Sequence, residues 1–148
     1  MIDLRELYQE VILDHNKYPR NRGRLEDPSG QAEGHNPLCG DQVTVYVMTE
    51  NGRVVEARFE GQGCAISTAS ASMMTEAVKG KTIQEAEELF RNFQSLVTSA
   101  AEDHEDLGDL EVLGGVRDYP VRIKCATLPW HTLHAALQGG NVPVSTEK

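Results

Sequence analysis

Between two runs of alternating apolar residues the chain places Asn51-Gly52. This dipeptide is the strongest short-range signal for a β-hairpin, because both positions of the tight turn need a backbone that asparagine and glycine tolerate. Ahead of it, Val43, Val45 and Val47 alternate with Thr44, Tyr46 and Met48, the period of a half-buried strand. Behind it, Val54 to Phe59 form the return strand, which runs into Gly61-Gln62-Gly63-Cys64. A third strand is not assigned by the pattern.

Helical spacing dominates elsewhere. Leu4, Leu7, Val11 and Ile12 predict an amphipathic helix over 3–14 that stops before Pro19. The small residues from Ser67, with Met73, Met74, Ala77 and Val78, predict a helix that Gly80 ends. Thr82-Ile83-Gln84-Glu85 matches a capping box, opening a helix through about Val97 with Ile83, Ala86, Leu89, Phe90, Phe93 and Val97 on one face. Thr127-Leu128-Pro129, just after Cys125, predicts the start of a last helix carrying Trp130, Leu133, Ala136 and Leu137, closed by Gly139-Gly140. Residues 20–41, rich in Gly, Pro, Asn and Asp, read as a long loop, and loops of that length in compact domains are usually functional or disordered. Residues 102–111 read as a solvated acidic stretch, with a short helix or turn over 107–116.

At 148 residues the expectation is one domain over 1–140 and a disordered tail over 141–148. No apolar run approaches the roughly 20 residues of a membrane helix, and Met1-Ile2-Asp3 opens no signal pattern, so the predicted location is cytoplasmic with no membrane partner. A net charge of −9 argues against nucleic acid as a partner. Lys17, Arg20, Arg22 and Arg24 cluster in KYPRNRGR, read as a solvated loop in preference to an anion site or a docking patch.

Three cysteines, Cys39, Cys64 and Cys125, are an odd number and read as thiols rather than as a disulfide framework. Free cysteine is often a buried small hydrophobe. None of the three sits in an apolar stripe, however: Cys39 lies in a loop ahead of a strand, and Cys64 and Cys125 each lie just ahead of a helix. Unpaired N–H groups at helix starts favour thiolate, the form that acts as nucleophile or metal ligand. Zinc takes sulfur and carboxylate ligands in fourfold sites, and Asp41, two residues from Cys39 across the permissive Gly40, supplies a fourth donor. Three thiolates and one carboxylate on Zn²⁺ sum to −2, so further donors are expected nearby, with Arg122 or Lys124 as candidates. Iron–sulfur ligation by the same groups is also chemically open. His131 and His134 are read as partly buried neighbours of Trp130 rather than as ligands.

The segments YPRNRG (18–23), NPLCGD (36–41), FEGQGCAISTASASMM (59–74), VKGK (78–81) and RIKCATLPW (122–130) resemble the U-type iron–sulfur cluster assembly proteins, the IscU and NifU N-terminal family, and within it the SufU branch. The resemblance spans about residues 1–140. Members of the IscU type carry a histidine before the third cysteine and a chaperone-binding Leu-Pro-Pro-Val-Lys segment; here the corresponding positions hold Lys124 and YPVRIK (119–124). The Cys64–Cys125 span is also longer than in IscU-like members, the extra residues lying near 107–120.

The resemblance implies an α+β fold, a small antiparallel sheet of about three strands packed with several helices. It implies Zn²⁺ on Cys39, Asp41, Cys64 and Cys125, with Cys39 accepting persulfide sulfur from a PLP-dependent cysteine desulfurase of the SufS type. Arg122 matches an arginine implicated in desulfurase docking, and a scaffold of the SufBCD type is the implied downstream recipient. The competing readings are a scaffold for a transient [2Fe–2S] cluster on the same ligands, and a purely structural zinc domain. Lys124 in place of histidine favours sulfur transfer over the scaffold.

Overall fold

In a computed structural model of the chain, Asn51 and Gly52 take φ of 53° and 75°, and the strands on either side of them pair antiparallel, as the dipeptide predicts. The structure describes residues 4–37, 40–98, 110, 113, 116, 119–138 and 144–145, the side chains of 4–9 and 144–145 excepted. The elements run α1 (Leu4–Lys17), β1 (Gly30–Asn36), β2 (Asp41–Glu50), β3 (Arg53–Gln62), α2 (Ala65–Val78), α3 (Ile83–Thr98), α4 (Pro120–Leu137) and β4 (Val144–Ser145). The sheet order is β3-β2-β1-β4, with β1, β2 and β3 antiparallel and the two-residue β4 parallel to β1. This is the predicted α+β class. In the stretch 141–148, read from sequence as a tail, Val144 and Ser145 pair with Gly34 and His35; the other residues lie outside the described ones.

The third strand, β1, corrects the reading of 20–41 as one long loop. Its residues GQAEGHN include no β-branched side chain and no Phe, Tyr or Trp, yet every second one is buried. The cause is the closeness of α4. A Cβ on Gly30 would stand 1.9 Å from the Ala136 carbonyl oxygen, and one on Gly34 would stand 2.1 Å from Thr132 Oγ1. Small inner residues are therefore what let the helix lie against the strand.

The inner face of β2 (Val43, Val45, Val47) joins Val54, Ala57 and Phe59 of β3 beneath α2 and α4. The bulged residue Val55, between Glu56 opposite Met48 and Val54 opposite Thr49, turns outward. Trp130 is fully buried and stacks on Phe93 of α3, ring centroids 4.9 Å apart. The capping box forms: Thr82 N–H donates to Glu85 Oε1 (2.9 Å), and Glu85 N–H donates to Thr82 Oγ1 (3.0 Å). Leu110, Leu113 and Val116, three apart in sequence, are buried in the same core.

The basic stretch covers the open edge of β3. Phe59 N–H donates to Asn21 O (3.1 Å) and Gly23 N–H to Phe59 O (2.8 Å), so the backbone of 21–23 extends the sheet locally. Farther along, Gly80 and Lys81 bond both backbone groups of Val54. Arg20 pairs with Asp14 (2.6 Å) and Arg24 with Glu60 (3.2 Å), while Arg22 Nη2 donates to the Gly61 carbonyl (3.2 Å). A free strand edge invites pairing with another chain, and here charged side chains and a loop close it.

Candidate metal centre

Two antiparallel strands and two helices deliver three of the four sequence-predicted donors to one place. Asp41 opens β2 and is 1% exposed. Its Oδ1 accepts the backbone N–H of Cys64 at 2.8 Å, and its Oδ2 lies 3.7 Å from the Cys64 sulfur. Gly63 permits this approach, because a Cβ there would stand 2.8 Å from Asp41 Oδ1. Cys64 is the N-cap residue of α2, as the sequence predicts, and is half-buried.

Cys125 departs from expectation. Instead of preceding α4 it lies in the helix's second turn and is 0% exposed. The helix starts nine residues before Pro129, at Pro120, which takes the first-turn position where a missing N–H does no harm. Pro129, read from sequence as the opening proline, is interior and has no N–H to return to the Cys125 carbonyl. Arg122 and Lys124 lie in the first turns of α4, exposed and half-exposed respectively. Cys39 lies outside the described residues, within the short connection from β1 to β2 and between the exposed Pro37 and Gly40.

One ligand atom from each of Asp41, Cys64 and Cys125 lies within 4.8 Å of the others. Zinc bonds of about 2.0–2.3 Å to oxygen and sulfur would draw such a group together by a small inward shift. Two sulfurs and a buried carboxylate suit zinc, and a buried charge of this kind needs a cation or donors to offset its desolvation. The donor set therefore fits the metal that the sequence implies.

The two cysteine-bearing helices are tied together behind this cluster. Ser70 of α2 donates from Oγ to the Ala126 carbonyl of α4 (2.6 Å) and accepts from Trp130 Nε1 (3.2 Å), all buried. In front, the side chain of Asn36, the last residue of β1, donates from Nδ2 to Cys125 Sγ at 3.6 Å. Sequence reasoning passed over Ser70 and Asn36. The signal available for Asn36 was a polar residue three positions before a candidate ligand, but Asn-Pro reads more readily as turn chemistry.

His131 and His134 play no part in this cluster. His134 Nδ1 meets Glu87 Oε2 of α3 at 2.6 Å, and His131 stands edge-on to the Phe90 ring at 5.0 Å between centroids. Burial, and then the neighbouring His134, hold the His131 imidazole below its ordinary pKa.

Residues 7–126 match the family described as the NifU-like N terminal domain. The chain belongs to that family. A zinc-dependent sulfurtransferase SufU from Bacillus subtilis (strain 168) is 46% identical over 143 residues, covering 94% of this chain and 97% of the relative. An iron–sulfur cluster assembly scaffold protein IscU from Thermotoga maritima is 38% identical over 132 residues, covering 89% of this chain and 93% of the relative. Among solved structures, a putative iron–sulfur cluster assembly scaffold protein for the SUF system from Fervidobacterium islandicum AW-1 superposes with a TM-score of 0.83 at 39% identity, covering 91% of this chain and 99% of that one. The NifU-like fold thus spans nearly all of the chain, and the SufU branch of the resemblance agrees with these relatives.

Proposed function

We propose that this NifU-like chain is a zinc-dependent sulfurtransferase of iron–sulfur cluster biosynthesis, accepting sulfur on Cys39 from a PLP-dependent cysteine desulfurase. The observation that carries the reading is the convergence of one ligand atom each from Asp41, Cys64 and Cys125 within 4.8 Å, with Asp41 at the β2 end of the connection that bears Cys39. The 46% identity to a SufU sulfurtransferase over almost the whole chain supports it.

Cys39, Asp41, Cys64 and Cys125 would hold the zinc, which when bound keeps the sulfurs deprotonated. The chain's own residues divide the remaining work. Cys125 is fully buried, out of reach of a persulfide carried by another protein, and Cys64 is half-buried with its backbone N–H tied to Asp41. Cys39 belongs to the connection between β1 and β2, between the exposed Pro37 and Gly40, and is the cysteine assigned here to meet the partner. Its thiolate attacks the outer sulfur of the donor persulfide. The donor's S–S bond breaks, its electron pair leaves on the donor cysteine as thiolate, and Cys39 carries the new persulfide. Arg122, exposed near the start of α4, is the proposed docking contact, and Lys124 lies beside it. Onward delivery to a SufBCD-type assembly machine and a cytoplasmic location complete the reading. Among the described residues no helix is long and apolar enough to cross a membrane.

The same donors could hold a [2Fe–2S] cluster, and the identity to an IscU scaffold keeps this as the second reading. Desulfurase turnover measured with and without the protein separates the two. Acceleration by the wild type that disappears with Cys39→Ala and weakens with Arg122→Ala supports sulfur transfer. No acceleration, together with a stable chromophore after anaerobic iron and sulfide, supports the scaffold.

A further inference from the structure

Asn36 is buried to 0% exposure at the end of a strand whose other inner positions are glycine and alanine. An amide buried this deeply is costly unless bonded, and an apolar residue would fill the same space without that cost. Its Nδ2 points at the sulfur of Cys125, 3.6 Å away, and its backbone is paired with Asp41 across the β1–β2 ladder. One residue thus touches a candidate ligand through its side chain and neighbours another through its register. It also anchors the strand from which the Cys39 connection departs.

We propose that Asn36 is a positioning residue of the metal centre, its side-chain N–H holding the Cys125 sulfur in place and sharing its charge when a metal is bound. A neutral thiol is a weak acceptor, whereas a metal-bound thiolate carries charge, and hydrogen bonds to charged acceptors are about twice as strong. The donor therefore contributes most in the metal-bound state. Its form also suits the centre's charge. Three thiolates and a carboxylate exceed the charge of Zn²⁺ by two, and a neutral amide spreads that excess without the bulk or mobility of a lysine. The sequence offered Arg122 and Lys124 for this task; Asn36 adds a donor at the Cys125 sulfur. The proposal rests on the metal reading of the site.

The test uses the full chain with zinc and with cobalt(II) as a spectroscopic probe, comparing wild type with Asn36→Asp, which keeps the shape but loses the N–H, and Asn36→Leu. Zinc affinity is read by competition with a chromophoric chelator. The expected result is a loss of about 10- to 100-fold in both variants, the range for removing outer partners of metal ligands. The thiolate-to-cobalt charge-transfer bands should also move to lower energy, because a sulfur without its hydrogen bond gives up electrons more readily. In a Cys125→Ala background, Asn36→Leu should change the affinity no further. Wild-type affinity and unshifted bands in a folded Asn36→Asp or Asn36→Leu protein would overturn the proposal, leaving Asn36 a packing residue. Circular dichroism of the metal-free variants identifies the folded samples, and either substitution alone suffices for the comparison. Failure of the wild type to give thiolate–cobalt bands would overturn the metal reading itself, a different outcome from failure of Asn36.

Discussion

The Asp41 carboxylate accepts the Cys64 backbone N–H through Oδ1 at 2.8 Å while Oδ2 faces the Cys64 sulfur at 3.7 Å. One buried side chain therefore performs two tasks on its two oxygens. Oδ1 fixes the approach to α2, whose N-cap has no side-chain hydrogen bond of its own, and Oδ2 faces the sulfur as a candidate ligand. The β2 strand start and the α2 helix start are locked to each other before any metal binds.

Substitutions at Asp41 should separate these tasks. Asn keeps an oxygen for the Cys64 N–H but removes the charge; Ala removes both. Metal-free Asp41→Ala should lose about 1–3 kcal/mol, the cost of stranding a buried donor, and Asp41→Asn clearly less. Both should bind zinc more weakly than wild type. Chemical denaturation of chelated protein and chelator competition measure the two effects. Wild-type zinc affinity in Asp41→Ala would remove Asp41 from the ligand set.

Metal removal should weaken the fold without abolishing it. Small zinc fingers are unfolded without metal because they lack a core, but here Trp130, Phe93, Met74, Leu128 and Val45 are fully buried in a hydrophobic core. Chelated protein should keep its helical circular dichroism. Free zinc at about 1,000 times its dissociation constant should add about 4 kcal/mol, or roughly 8–16 °C in Tm for a chain of this size. A chelated sample without helical signal would contradict this.

What the sequence made legible was local. The Asn51-Gly52 hairpin and the Thr82–Glu85 capping box each rest on contacts within four residues, and both form. β1 was hidden because its inner positions answer to α4, a distant helix, rather than to strand propensity. The start of α4 was misplaced because two prolines compete for the role and only the tertiary packing of residues 120–128 decides between them. The candidate site was legible as a donor set, since its residue types state their chemistry. Its assembly was not, because Asp41 lies 23 positions from Cys64, and Asn36 lies 89 from Cys125. The residues around the candidate ligands, Asn36, Gly63 and Ser70, carry no motif of their own.

The fit of α4 on β1 gives a prediction with an internal control. Ala at Gly34 would drive a Cβ to 2.1 Å from Thr132 Oγ1, a side-chain atom, whereas Ala at Gly30 would meet the Ala136 backbone oxygen at 1.9 Å. Each substitution should cost about 1–3 kcal/mol by overpacking, with Gly30→Ala at the upper end because backbone cannot step aside. Adding Thr132→Ala should recover part of the Gly34→Ala loss and none of the Gly30→Ala loss. Equal behaviour of the two double variants in denaturant titrations would mean that the helix shifts as a body.

The pH dependence follows from His131. Burial, then the charge of His134, lowers its pKa in the folded protein, so the unfolded chain binds more protons between that lowered value and the ordinary one of about 6.5. Stability from this residue is therefore fully present above about pH 6.5 and is lost as pH falls through the window below it. His131→Gln removes the titration while keeping a polar side chain edge-on to Phe90. The fall in Tm of chelated protein between pH 7.5 and 5.5 should be smaller in the variant than in wild type. Chelation keeps proton competition at the thiolates out of the comparison. An unchanged or steeper fall in the variant would show that His131 is not a source of the acid sensitivity.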